Sequence, residues 1–309
     1  MAWKYWDRRD DWDGPRAYVL ERDGVIVAHA GLWPLTFGAG QIRGVQMIDW
    51  ASAKDAPGAG LTLVQKLSAM FDFIYSIGGT EATCKLLPAF GFVECPTQWT
   101  GARPLRPVQQ ILTHQSRNWK LAPRLIRNYL WAMPKAPDGC AQKGWRSEEI
   151  CPAEISDAFY SQGAAEAHFS PRPPAFFEYL LRCPVTQIRL YGIYDQRGPQ
   201  GHFAIGVIRG QARVGGVWLR DPNSEAWQAA FSLAQNTARR LAGACEIVAV
   251  GTSGASEQAA LRSGLHITGH TPVYLLNKKG KLALPADFQF QFSDNDGLFL
   301  DVGDSSYYT

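Results

Sequence analysis

The sequence predicts a mixed α/β protein built from two tandem copies of one unit, and three observations carry that reading. The same order of elements can be read twice along the chain: a meander of strands, a helix, a strand, a helix and a closing strand. The chain has 309 residues, of which 46% are hydrophobic and 19% charged, enough for two domains with substantial cores. Between the copies the composition changes abruptly. From Arg103 to Lys143 there are eight basic residues against the single acid Asp138, with Pro104, Pro107, Pro123, Pro134 and Pro137 interspersed.

In the first copy, AYVLER and VIVAHAGLWPL are extended runs joined by the turn signal Asp23-Gly24, and IRGVQMIDWAS over 42–52 is a third strand. Asp55-Ala56-Pro57-Gly58-Ala59-Gly60 then opens a helix in which Leu61, Val64, Leu67, Ser68 and Phe71 share a face. A short segment around Ile77, a helix over 83–90 and the strand-like FVECPTQW complete the unit, giving a domain over 1–102. The connector over 103–143 holds one short helix, Arg124–Trp131. The second domain, 144–280, begins with GWRSEEI and the helices ISDAFYSQ and PAFFEYLLRC. Strands TQIRLYGIYD, HFAIGVIRG and ARVGGVWLRD, a helix over 224–241, EIVAVGT, a helix over 255–263 and HITGHTPVYLL follow. In the tail, 281–309, Phe288, Phe290 and Phe292 alternate with Gln289, Gln291 and Ser293, the period of a strand.

The rest of the composition narrows the functional classes. A net charge of +3 does not favour a DNA partner and gives little support to RNA. No apolar stretch reaches the ~20 residues of a membrane span. The N-terminal MAWKYWDRRDDWDG has no apolar core, so no signal peptide is expected there. Six cysteines without a C-x-x-C pair suit reduced thiols in a cytoplasmic protein, and no metal site is expected. There is no G-x-S-x-G for a Ser-His-Asp hydrolase. Asp294-Asn295-Asp296-Gly297 lacks the outer acids of a calcium loop, with Phe292 and Gly303 at those positions.

The order of strands, P-G-A-G turn, helix and F-G-F segment resembles the GNAT superfamily of acyl-CoA-dependent N-acyltransferases. The family's pyrophosphate loop has the pattern (Gln/Arg)-x-x-Gly-x-(Gly/Ala), matched here by Asp55 to Gly60, and CKLLPAFGFVEC is similar to its helix beside the pantetheine. The resemblance implies two GNAT-like domains, each a mostly antiparallel sheet with helices on both faces. It implies acetyl-CoA or another acyl-CoA as co-substrate, held by Lys54, Pro57, Gly58, Ala59, Gly60, Leu61 and Thr62. Glycines expose backbone amides there, and the helix N-terminus directs partial positive charge at a phosphate. It also implies an amine acceptor, small or sugar-like. Asp49, on the strand before the loop, stands where the family places an acidic base, or else is a surface carboxylate; the imidazole of His29, on the neighbouring strand, could serve instead, or line the core. Tyr75 and Cys84 are candidates to protonate the leaving thiolate, or packing residues. Two departures are plain: Asp55 replaces Gln or Arg, and Leu87 stands at the family's tyrosine. Arg220-Asp221-Pro222-Asn223 replaces the loop in the second copy, so that copy is expected not to bind CoA.

The tandem arrangement is loosely similar to Fem-type and polysaccharide-locus acyltransferases. The alternatives are therefore an inactive acyl-CoA-binding scaffold and a transferase using aminoacyl-tRNA. The basic connector reads as a solvated linker, a groove for an anionic substrate or a peripheral membrane contact. One further expectation concerns the tail. The first copy has no strand before Ala17, so Asp287–Ser293 is expected to cover the open edge at 16–22. Otherwise the tail extends the second sheet, or a longer N-terminus supplies the cover.

Overall fold

The hairpin at the start of the chain turns on two left-handed residues, Asp23 (φ 53°) and Gly24 (φ 78°), the geometry that matches the twist of paired strands. A computed structural model describes residues 2–37, 42–113, 121–133, 144–155, 169–170, 172–281, 283–284, 288–301 and 307–309. The first half runs α1 (Ala2–Tyr5), β1 (Ala17–Arg22), β2 (Val25–Phe37), β3 (Ile42–Ser52), α2 (Ala59–Met70), β4 (Phe73–Ile77), α3 (Glu81–Leu86) and β5 (Val93–Pro104). A 3₁₀ turn at Leu87–Phe90 follows α3 and closes on Gly91 (φ 84°). The connector carries α4 (Pro107–Leu112) and α5 (Leu121–Ala132). The second half has β6 (Arg146–Glu149), α6 (Pro174–Leu181), β7 (Ile188–Asp195), β8 (Gly198–Ile208) and β9 (Gln211–Leu219). It ends with α7 (Ser224–Arg240), β10 (Glu246–Gly251), α8 (Gly254–Ser263) and β11 (His266–Leu276). The expected helix over 155–162 falls outside the described residues apart from Ile155.

Among the described residues eleven strands form one sheet in the order β1-β2-β3-β4-β11-β5-β10-β9-β8-β7-β6. The two copies are thus joined by an exchange of their last strands. β11, from the second copy, lies against β4 of the first, while β5, from the first, lies against β10 of the second, both antiparallel. β5 and β11 pair with one another at the centre, from His266 opposite Ala102 to Leu275 opposite Val93. Sequence patterning could not show this, because equivalent last strands offer similar faces to either neighbour.

The expected pairing of the tail with β1 does not occur. Phe288 and Phe290 are buried in a cluster with Leu35, Phe37, Phe73, Tyr75 and Val273. Among the described residues the tail's only ladder contact is an isolated bridge between Gln289 and Phe169. The alternation divides apolar from polar contacts instead of building a ladder. β1 could not compete for these phenylalanines: Val19 at its edge is half exposed and Glu21 and Arg22 are charged. Its outer edge has no strand partner among the described residues.

Much of the connector's charge is spent inside the fold. Arg106 donates to the carbonyls of Arg239, Leu241 and Ala244 at the end of α7, where a cation also offsets the helix dipole. Arg103 binds Gln235 Oε1 at 2.7 Å and the carbonyls of Trp131 and Met133, and Arg124 holds the carbonyls of Tyr307 and Thr309. Among the described residues no helix is long and apolar enough to cross a membrane.

Candidate functional site

β3 and β4 run parallel and pair only from Gly44 opposite Phe73 to Gln46 opposite Tyr75. Gly44 permits that approach, since a Cβ there would fall inside the Phe73 ring. Just beyond, β3 bulges. Gly31 faces Asp49 and Leu32 faces Met47, leaving Ile48 as the extra residue, and the strand bends away from β4. The bend opens the sheet and leads into the loop before α2.

In that loop Gly58 takes a left-handed conformation (φ 82°) and caps α2 without any side chain. The amides of Ala59 and Thr62 are used internally, by the carbonyls of Ala56 and Gly58. Those of Gly60 and Leu61, at the second and third helical positions, find no acceptor among the described residues. Trp50 lies over Gly60 and donates to its carbonyl at 3.2 Å; a Cβ on Gly60 would sit 3.0 Å from the indole nitrogen. Lys54, Asp55, Pro57 and Thr62 are exposed around this turn.

The corresponding place in the second half is closed. β9 and β10 pair in parallel up to Val214 opposite Ala249 and then part. The Asn223 side chain accepts from the amides of Glu225 and Ala226, so the N-terminus of α7 is already capped. The tail fills the opening. Gln291 bonds both the N–H (2.7 Å) and the C=O (2.8 Å) of Val217, and Ser293 Oγ accepts from the Gly216 amide at 2.6 Å.

On the open face of the first half, Asp49 belongs to a charged cluster assembled from three distant parts of the chain. Lys4 Nζ lies 2.7 Å from Asp49 and 2.8 Å from Asp296, and it is buried, while the Asp49 side chain is 41% exposed. Burial pushes the Asp296 carboxyl up, with Lys4 opposing that shift. Tyr5 donates to Asp49 and stands over Gly31, where a Cβ would collide with its ring. His29, half buried, meets the same ring edge-on at 6.3 Å. Asp49 and His29 thus both meet the Tyr5 side chain.

The thiolate-side candidates fare differently. Tyr75 is fully buried and donates to the carbonyl of Asp294, and desolvation pushes its phenol well above the ordinary value. Its proton is thus held in the core, anchoring the tail. Cys84 packs at the margin of the cluster around α2, and Leu87 is 1% exposed within it. Sequence reasoning missed Lys4, Tyr5 and Asp296. Lys4 and Asp296 are 292 positions apart, and no local pattern marks either.

No family model matches this chain, and no curated protein matches it. Its backbone does resemble solved structures. A GCN5-related N-acetyltransferase from Anabaena variabilis superposes over 85% of this chain and 63% of its own, at TM-score 0.54 and 14% identity. One from Kribbella flavida matches over 84% and 60%, at 0.51 and 12%. Saccharomyces cerevisiae N-myristoyltransferase with bound myristoyl-CoA matches over 82% and 67%, at 0.50 and 13%. The chain spans less than two thirds of the length of the two bacterial proteins. The fold, a mixed sheet with helices, is thus shared with GCN5-related N-acetyltransferases and with an N-myristoyltransferase.

Proposed function

We propose that the first half binds an acyl-CoA and that the protein transfers the acyl group to an amine. The observation that carries this reading is the contrast between the two strand openings. The first ends at an uncapped helix with two unused amides, a donor set suited to a pyrophosphate. The second is filled by Asn223 and the tail. In the reaction the amine nitrogen attacks the thioester carbonyl, the C–S bond breaks, and CoA leaves as its thiolate, which takes a proton from solvent. Asp49, or His29 beside it, takes the amine's proton directly or through a water. A strand amide near the bulge polarises the carbonyl.

The test is CoA binding by calorimetry. Gly60→Leu pushes a side chain into Trp50 and across the free amides, and should abolish binding while leaving the protein folded by circular dichroism. Unchanged affinity in a folded variant would refute the site. A second reading, a CoA-binding protein without turnover, is favoured by buried Leu87 and the engaged Tyr75 hydroxyl, which leave the thiolate without an evident acid. Thiol release with an amine panel separates the two. A Fem-type reaction on aminoacyl-tRNA draws on the basic connector, but Arg103, Arg106 and Arg124 there are engaged within the fold.

A further inference from the structure

A cavity of about 500 Å³ opens beside the Asp49 cluster, walled by the loop from Tyr5 to Arg16. Arg9, Trp12 and Arg16 line it and are only 4%, 8% and 4% exposed. Each has a buried donor without a partner: Arg9 Nη1, Trp12 Nε1 and Arg16 Nη1. Other nitrogens of both guanidiniums are committed. Arg9 binds Asp11 through Nε at 3.1 Å and Nη2 at 2.5 Å, and Arg16 Nη2 donates to the Asp7 carbonyl. Both guanidiniums stack on the ring of Tyr179, at 5.0 and 4.9 Å, which brings two positive charges together. Burial lowers the Arg16 pKa; the Tyr179 phenol opposes that shift, and Arg9's charge adds to it.

Among the buried groups the charges do not cancel. Of the two buried guanidiniums Arg9 is paired with Asp11, and Arg16 has no carboxylate within ion-pair distance among the described residues. Of the acids at the mouth, Asp10 is paired with Arg8 at 2.6 Å and Asp13 with Arg43 at 2.6 Å. A buried, uncompensated positive charge beside three orphaned donors is costly unless an anion completes it. Among the buried groups this leaves one guanidinium, that of Arg16, without a carboxylate, while the exposed Asp7, Asp10 and Asp13 at the mouth repel a dianion. Tyr5 forms part of the wall and donates to Asp49.

We propose that this cavity anchors the acceptor by a carboxylate, so that the acceptor is an amino-acid-like molecule with its amine turned toward Asp49. The assignment rests on the acyltransferase reading for the amine's role, while the anion site stands on its own geometry. Calorimetry with the full-length chain tests it, using glycine, 4-aminobutyrate and lysine, the carboxamide of each, and O-phosphoethanolamine. At least one amino acid should bind, with its carboxamide weaker by about tenfold or more, as for a site left with unpaired buried donors. Arg16→Gln should erase the acid–amide difference. If that variant fails to fold, the acid–amide comparison on the unaltered protein still decides. Failure of every acid to bind, equal binding of acid and amide, or tighter binding of O-phosphoethanolamine would overturn the proposal. CoA titrated in parallel keeps the two readings apart. CoA binding without carboxylate preference removes only the acceptor site, and carboxylate preference without CoA binding removes only the acyl-transfer reading.

Discussion

His202 on β8 has Phe177 edge-on at 5.1 Å and Trp218 stacked at 6.0 Å, and it is wholly buried. Desolvation, with the nearby charge of Arg172, pushes its pKa down to about 3. The folded protein therefore keeps the imidazole neutral well below the pH at which the unfolded chain protonates it. Because the unfolded state binds the extra proton, this residue costs stability as pH falls below about 6.5, with the loss continuing toward 3. Between pH 7 and 5 the contribution amounts to about 2 kcal/mol. Urea midpoints at the two pH values should fall more steeply for the unaltered protein than for His202→Leu. Parallel slopes would show that the imidazole is protonated in the fold. The same logic distinguishes Gly60 from an ordinary turn glycine: what matters there is space beneath Trp50 and a free N–H, not backbone strain.

The tail is the element whose sequence pattern misleads. Alternation with period two is the signature of a strand, yet here it serves two unlike surfaces. Phe288 and Phe290 close an apolar cluster on the first half, and Gln289 and Gln291 face polar groups of the second. Gln289 accepts from the Thr252 amide and from Ser256, while Gln291 supplies the backbone of Val217 with the partner that a neighbouring strand would otherwise give. Gln291→Leu keeps the size of the side chain and leaves two buried backbone groups unpaired. It should destabilise the protein by about 2–4 kcal/mol in urea unfolding, since each orphaned group costs on the order of 1–3 kcal/mol. A change below about 0.5 kcal/mol would mean that water or another side chain takes over the bonds.

At the scale of the whole molecule, strand exchange makes the halves interdependent. β4 owes its second neighbour to β11, and β10 owes one of its neighbours to β5. A fragment of residues 1–143 would keep β5 without β10 and leave β4 with a bare edge, so it should aggregate or pair with a second copy rather than stay monomeric. Light scattering on the isolated fragment measures this. The intact chain should unfold in one calorimetric transition, with calorimetric and van't Hoff enthalpies equal, although its length suggests two. Two separate transitions, together with a monomeric, well-folded fragment, would contradict the interdependence.

Most elements were legible from the sequence because local chemistry sets them. The Asp23-Gly24 turn, the run over 42–52, the glycine-marked start of α2 and the long apolar face of α7 are each defined by neighbours within a few residues. The loop at Gly58–Leu61 and the nearness of Asp49 and His29 were legible for the same reason, lying on adjacent elements of one meander. Tertiary structure decided what depends on partners far along the chain. Which last strand fills which gap turns on a choice between two similar edges, and the place of the tail turns on where phenylalanines find the deepest burial. The charged cluster Lys4–Asp49–Asp296 and the unpartnered Nη1 atoms of Arg9 and Arg16 arise only when distant segments exclude water together. Burial and charge imbalance are properties of the assembled environment, and no window of sequence contains them.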